Sequence, residues 1–384
     1  MKQLKAYFTH RRSLCIGLVF AAVGFCFGNW ATLIPYIKEK FDLNDAQLGL
    51  LLLSFPFGST VANPISTIII DKLGANRTTF FFLILMAIFY QTPIIAPTIS
   101  LAVIGLILTG ICLANTNVAM NTAVAAIENH ENRQIMATCH GMFSLGGMVG
   151  AAVASMSLGF DIQPEIHMPF ISLSVVILAF CIKSTIFSIH EEKLEQEPKT
   201  KFMMPNRILL GMIAISLCTN ITEGTMADWA AVYMKDVVHA SNARIGWGFT
   251  AYAFFMAAGR FLGDAIIPRF GMKNVLIYGG FVSATGLLLS ISMPNSVCTI
   301  IGFAMVGAGV SCGAPILYGS AARMPNMAKG AGLATMNTFS ITGFLAGPAI
   351  IGFISKVFSL PFAFLLVAFL GVLWAFLASR NRLY

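Results

Sequence analysis

Apolar runs of about 20 to 30 residues follow one another along the whole chain, and polar residues are confined mainly to the short stretches between them. An α-helix rising 1.5 Å per residue needs about 20 such residues to cross a hydrocarbon layer roughly 30 Å thick. The runs predict helices near 13–37, 45–70, 78–97, 100–127, 134–160, 168–188, 206–234, 243–267, 274–293, 297–322, 328–355 and 359–379, twelve in all. Too few polar faces remain on them to cover the core of a soluble helical protein. The one longer polar stretch, His190 to Met204, carries Glu191, Glu192, Lys193, Glu195, Glu197, Lys199 and Lys201 with Pro198 and Pro205 beside them. It reads as a solvated connector, with a regulatory role as the other reading.

Shifted by about 197 residues, the chain repeats itself. Trp30, Tyr36, Lys38, Glu39, Ala46 and Gly49 return as Trp229, Tyr233, Lys235, Asp236, Ala243 and Gly246. Farther on, Lys72-Leu73-Gly74 returns as Arg269-Phe270-Gly271, and Phe143-Ser144 as Phe339-Ser340. The repeat predicts two six-helix bundles, residues 1–188 and 206–384, joined by a cytoplasmic linker at 189–205. Parallel repeats of this size build many secondary transporters, with the substrate site expected between the halves.

Hydrophobic residues make up 57% of the 384 and charged residues 10%, against about 25% charged in soluble domains. The net charge of +8 is explained by topology. With both termini in the cytoplasm, eighteen of the 24 Lys and Arg fall on the inner side, five outside and Arg260 within a span. No basic run is interleaved with exposed aromatics, so nothing asks for nucleic acid. Lys2, Lys5, Arg11 and Arg12 precede a first apolar run too long for a signal-peptide core, which reads instead as the first span. All eight cysteines lie in expected spans without Cys-x-x-Cys spacing and read as packing residues. Gly307, Gly309 and Gly313 miss the spacing of a dinucleotide fingerprint and read as packing too. No cofactor or metal is implied.

Twelve runs, inner termini, a central polar loop and a short basic turn after the second run of each half together resemble the major facilitator superfamily over the whole chain. The family's signature at that turn has an Asp, a basic residue, a Gly and further basic residues. Asp71, Lys72, Gly74 and Arg77 match it, with Thr67 where the family has Gly. The second turn reads Gly259, Arg260, Gly263, Asp264, Arg269, Gly271 and Lys273. Glu223-Gly224-Thr225-Met226-Ala227-Asp228-Trp229, and His140-Gly141 followed by Phe143-Ser144-Leu145-Gly146-Gly147, are similar to bacterial YbjJ-type permeases.

The resemblance implies an all-α membrane protein of twelve transmembrane helices in two pseudo-symmetric six-helix bundles, the major facilitator fold. It also implies a monomer of the bacterial inner (plasma) membrane that moves a small solute by alternating access. The Gly-Pro pair of the family's drug exporters is missing from the fifth span, and only Gly347-Pro348 in the eleventh is similar to it. Uptake is therefore favoured over efflux. Sugar symporters of the family often place an acid in span 1 or 4, where this chain has asparagines.

An ionised side chain at mid-bilayer costs at least about 2.5–3.5 kcal/mol, so it faces a cavity or a partner. Glu223, Asp228, Arg260 and Asp264 meet that condition, all in the second half. The repeat places Gly24, Asn29, Asn63 and Thr67 opposite them. A carboxyl removed from water holds its proton more tightly, which suits a carrier that loads and releases one. Glu223 is accordingly the first proton-coupling residue to consider, with Asp228 and His140 beside it; a structural hydrogen bond is the alternative for each. Five residues separate Glu223 from Asp228, so on a regular helix they do not share a face.

Asn29, Trp30, Asn115, Asn117, Asn121, Asn220, Trp229, Tyr318 and Asn337 are the expected substrate-cavity residues. Their amides suit hydroxyl or amide groups on a polar solute, and interhelical hydrogen bonding is the competing reading. Arg260 and Asp264 are spaced to pair on one helix and, with Asp71, Lys72, Arg77 and Arg269, form the expected cytoplasmic gate. Counting 1.5 Å per residue puts Arg260 roughly 11 Å deeper toward the cytoplasm than Glu223, so those two are not expected to meet.

A membrane enzyme would need a nucleophile with its base, or clustered metal ligands, and neither pattern occurs. The expected function is transport of a small polar or amphipathic solute with a proton. Proton-coupled efflux, or a channel or transport-inactive receptor, are the other readings.

Overall fold

The computed structural model describes residues 7–131, 133–191, 205–324 and 331–383. Within these, the side chains of Asp264, Ala331, Ala334, Asn337, Ile341, Thr342 and Phe344 lie outside the described set.

Helices account for every regular element among the described residues. They are α1 (Arg11–Lys40), α2 (Asp45–Leu73), α3 (Ala75–Tyr90), the short α4 (Thr92–Ile95), α5 (Ile99–Glu131), α6 (Met136–Gly159), α7 (Pro164–Ile186), α8 (Arg207–Asp236), α9 (Trp247–Phe270), α10 (Met272–Ser292), α11 (Ser296–Val310), α12 (Gly313–Ala322), α13 (Ala331–Val357) and α14 (Leu360–Arg380). Eleven described helical segments are long and apolar enough to cross a membrane, counting α3 with α4 and α11 with α12 as one each. The twelfth expected span is α9, 24 residues long, whose apolar run is broken by Arg260, Asp264 and Arg269.

Where the helices meet lipid they expose what a soluble protein hides. On α7, Ile166, Phe170, Leu173, Ile177 and Phe180 are all exposed, and on α14 so are Phe362, Leu366, Phe369 and Phe376. Steps of three, four and seven place each set on one helical face. Contiguous apolar stripes of this kind are a liability in water and ordinary in a bilayer. The chain is a multi-pass membrane protein.

The repeat is also visible in the backbone. Gly74 (φ 84°) and Gly271 (φ 79°) take the left-handed conformation that ends one helix and opens the next, and Asp42 (φ 49°) and His239 (φ 52°) do so at the ends of α1 and α8. The members of each pair are 197 residues apart. A side chain at the two glycines would be strained, which is why the basic turn carries Gly at that step.

Two compact units emerge, Met1–Leu43 with Leu51–Glu195, and Asn44–Leu50 with Gln196–Tyr384. In the first, α1 and α6 cross at backbone contact. A methyl group on Gly24, Gly28 or Gly146 would lie 2.0 Å from the carbonyl oxygen of Phe143, Gly147 or Ala21 respectively. Small residues supply this close approach because lipid offers no hydrophobic drive between helices. In the second, Gly307 brings α11 against the Tyr252 carbonyl of α9, at 2.1 Å from a would-be methyl, and Gly309 meets Gly279 of α10 at 2.4 Å. The three glycines read as packing in sequence thus include two at helix crossings.

The polar connector departs from its expected form at its start. Glu191 accepts the Asn76 amide at 2.8 Å, Asn76 Nδ2 donates to the Ile189 carbonyl at 2.8 Å, and the rings of His190 and His130 stand 4.5 Å apart. Its first residues therefore cap α3, whose opening amides have no carbonyl of their own helix to reach. The rest of the connector, 192–204, lies outside the described residues.

Candidate functional site

On α8 the polar side chains can be accounted for one by one. Thr219, Thr222 and Thr225 turn their hydroxyls onto carbonyls of their own helix at 3.0, 2.8 and 2.7 Å. Ser216 and Asn220 bind α13, the first through Ser340 Oγ at 2.8 Å and the second through the Ser340 carbonyl at 3.1 Å. In the middle of the helix that leaves Glu223, Asp228 and Trp229.

Glu223 Oε2 lies 3.8 Å from Arg260 Nη2 of α9. The depth estimate made from sequence is overturned here. Counting rise per residue treats each side chain as a point at its own backbone level, whereas a glutamate and an arginine between them reach across several ångströms. The side chain of Asp264, expected as the partner of Arg260, lies outside the described residues. Both members of the observed pair are partly exposed, at 16% and 22%.

Tyr252, buried eight residues before Arg260 on α9, is electrostatically coupled to both. Sequence reasoning passed over it because a tyrosine in an apolar run reads as packing. Its position is set by Gly307. Next to Arg260, Gly259 packs on Ser311, where the tenth span is interrupted between α11 and α12. Cys312 Sγ lies 3.6 Å from the Gly259 carbonyl. The interruption was not foreseen, since Ser311-Cys312 is neither proline nor a charge.

Asp228 is the decisive residue. It is only partly exposed, and among the described residues no hydrogen bond or ion pair reaches its carboxylate. Beside it, Trp229 is fully buried and its Nε1–H has no acceptor among the described residues. An unmet buried polar group such as this N–H costs about 1–3 kcal/mol. Glu223 and Arg260 offset one another. Asp228 adds a carboxylate with no described counter-charge.

The first unit treats the equivalent position differently. Asn29 Nδ2 donates to the Phe25 carbonyl at 2.8 Å, which turns Oδ1 toward His167 Nε2 at 2.7 Å; His167 Nδ1 then meets Ser157 Oγ at 2.9 Å. Because Asn29 presents its oxygen, His167 donates from Nε2 and Nδ1 is free to accept from Ser157. Sequence reasoning weighed His140 and missed His167, although an intramembrane histidine was the same signal in both cases. His140 itself is exposed on α6, with its ring 5.3 Å from Phe20. Trp30 is buried.

On α5, Asn115 Nδ2 donates to the Ile111 carbonyl at 2.8 Å while its buried Oδ1 has no partner among the described residues. Asn121 donates to Asn117 at 2.8 Å, and Asn117 is exposed. Tyr318 is half-buried on α12, and the Asn337 side chain lies outside the described residues. Asp71, Lys72 and Arg77 are exposed, without a hydrogen bond or ion pair among the described residues. Arg269 lies over the Phe270 ring at 5.6 Å.

The model of the Major Facilitator Superfamily matches residues 15–237 and 208–382. The chain belongs to the major facilitator superfamily. An uncharacterized MFS-type transporter of Yersinia pestis is 32% identical over 353 residues, covering 92% of this chain and 91% of its own. The membrane protein MosC of Rhizobium meliloti is 27% identical, covering 94% and 86%. Among solved structures, the nucleoside transporter NupG superposes with a TM-score of 0.75 at 12% identity, over 97% of this chain and 99% of that one. The D-xylose-proton symporter gives 0.72 at 15% identity, over 95% and 97%. This major facilitator protein therefore has the fold expected from its twelve runs, and its family and curated relatives are transporters, not enzymes. No cluster of His, Cys, Asp and Glu suited to a metal occurs among its described residues.

Proposed function

We propose that this transporter takes up a small polar or amphipathic solute together with a proton, at a site built around Asp228, Glu223 and Arg260. The observation that carries the reading is the partnerless Asp228 carboxylate one and a half turns from an acid–arginine pair. In an apolar span an uncompensated negative charge recruits a cation, and a proton is the smallest that removes the charge outright. When the proton leaves, Asp228 is again without a partner, so the two charge states differ in what the surrounding helices prefer, as population shift requires.

Arg260 gives the proton a second effect. Arg260 stands 3.8 Å from Glu223, so protonating Glu223 removes one negative neighbour and strengthens the attraction of the guanidinium for an acceptor oxygen of the solute. Within the second unit the Trp229 Nε1–H, without an acceptor among the described residues, supplies a donor suited to a hydroxyl or carbonyl oxygen. The superposing structures include a nucleoside transporter, a fucose:proton symporter and a D-xylose-proton symporter. Uncharged polar solutes are therefore the first to test. We place the protein in a bacterial inner membrane with both termini cytoplasmic, from the inward bias of its Lys and Arg.

A thermal-shift panel of nucleosides, sugars, carboxylates, peptides and drugs, followed by counterflow of the stabilising solute in proteoliposomes, tests this. Exchange of labelled solute is the expected outcome, lost in a channel or a receptor. Flux without exchange, or solute binding without flux, would reject a carrier.

A further inference from the structure

At the amino end of α1 and the carboxyl end of α7, the first unit opens into a crevice of about 460 Å³ lined by His10, Arg11, Arg12, Ser184, Thr185 and Ser188. Two guanidinium groups, an imidazole and three hydroxyls make up this lining, and among the described residues no carboxylate and no large apolar side chain shares it. Its donors are held in place from behind. Glu131 of α5 lies 3.0 Å from Arg12 Nη1 and 2.9 Å from His10 Nε2, and Arg12 Nε donates to Ser188 Oγ at 3.3 Å. One carboxylate thus fixes two basic groups and offsets part of their charge. Arg11 remains over, exposed and with no hydrogen bond or ion pair among the described residues.

The backbone adds to the same field. His10 Nδ1 accepts the Ser13 amide at 3.3 Å, but the amides of Arg11 and Arg12 have no carbonyl within their own helix, and the positive end of a 30-residue helix points the same way. Charge, a planar guanidinium fork, hydroxyl donors and a helix amino end together match an oxyanion with several acceptor oxygens. The crevice sits at the ends of two transmembrane helices, where phospholipid headgroups lie. This site is separate from Asp228 and needs no assumption about transport.

We propose that this crevice binds a phosphate group, either the headgroup of an anionic phospholipid at the membrane surface or a free phosphate from solution. Titrating the purified full-length protein with short-chain phosphatidylglycerol, inorganic phosphate and short-chain phosphatidylcholine distinguishes the two. Phosphatidylglycerol binding without inorganic phosphate binding assigns a lipid site; binding of inorganic phosphate assigns a free anion. In either case Arg11→Gln is expected to weaken affinity about fivefold, the effect of one basic residue near an anionic surface, Arg11→Glu more, and Arg11→Lys little. Ser184→Asp, which puts a carboxylate in the lining, is expected to reproduce the loss should Arg11→Glu disturb the fold. The proposal fails if neither phosphatidylglycerol nor phosphate binds more tightly than phosphatidylcholine, or if Arg11→Glu and Ser184→Asp both bind as the parent does.

Discussion

Asn29 in the first unit and Asp228 in the second stand at equivalent points of the repeat, yet their surroundings are opposite. Asn29 is closed into a chain of hydrogen bonds with His167 and Ser157, completely buried. Asp228 is partly exposed and bound to nothing described. Where His167 stands in α7, the repeat places Phe364 of α14, stacked 4.5 Å from Tyr233 and 6.0 Å from Phe303. The helix crossings differ in the same sense. Gly24, Gly28 and Gly146 bring α1 onto α6 at backbone contact, whereas at the matching crossing a methyl on Gly343 of α13 would meet the end of the Leu217 side chain at 3.2 Å, Asn220 Cβ at 3.6 Å and the Leu217 carbonyl no nearer than 3.7 Å. At this pair of equivalent positions one scaffold is closed by hydrogen bonds in the first unit and leaves a carboxylate and an indole N–H without a described partner in the second.

Four comparisons bear on that contrast, in order of their expected effect on stability. Glu223→Gln removes the carboxylate that faces the Arg260 guanidinium and is expected to cost about 3 kcal/mol, at the low end for a broken buried pair because both groups are partly exposed. The double variant with Arg260→Gln should recover most of that in a melting experiment, and no recovery would mean that the two do not act as a pair. Gly146→Val should cost the first unit about 1–3 kcal/mol by overpacking, and Gly343→Ala clearly less; equal losses would erase the difference in crossings. His167→Phe, which imports the aromatic of the second unit, leaves Asn29 Oδ1 without a donor and is expected to cost about 1–2 kcal/mol. Asp228→Asn removes no contact and should shift stability by less than about 0.5 kcal/mol. A marked loss there would reveal a partner for Asp228 and dissolve the contrast between the units.

Much of this was legible in the chain. Run length gave the spans, because a membrane helix must satisfy its backbone internally and offer lipid an apolar surface. Gly74 and Gly271 marked the turns, since few other residues tolerate positive φ. The acids and Arg260 were legible as charges inside apolar runs. Their pairing was not, because side-chain reach is invisible to a count along one helix. The break at Ser311-Cys312 is a tertiary effect, with Ser311 packed on Gly259, and leaves no composition signal. His167 was legible by the reasoning applied to His140; only the tertiary contacts with Asn29 and Ser157 separate a buried histidine from an exposed one.

The most direct test of the Asp228 reading is whether solute carries protons inward. Adding the stabilising solute outside de-energised proteoliposomes should make the weakly buffered medium more alkaline with the parent protein. With Asp228→Asn the same solute should still exchange in counterflow but leave the external pH unchanged. Equal alkalinisation by both proteins would contradict the account.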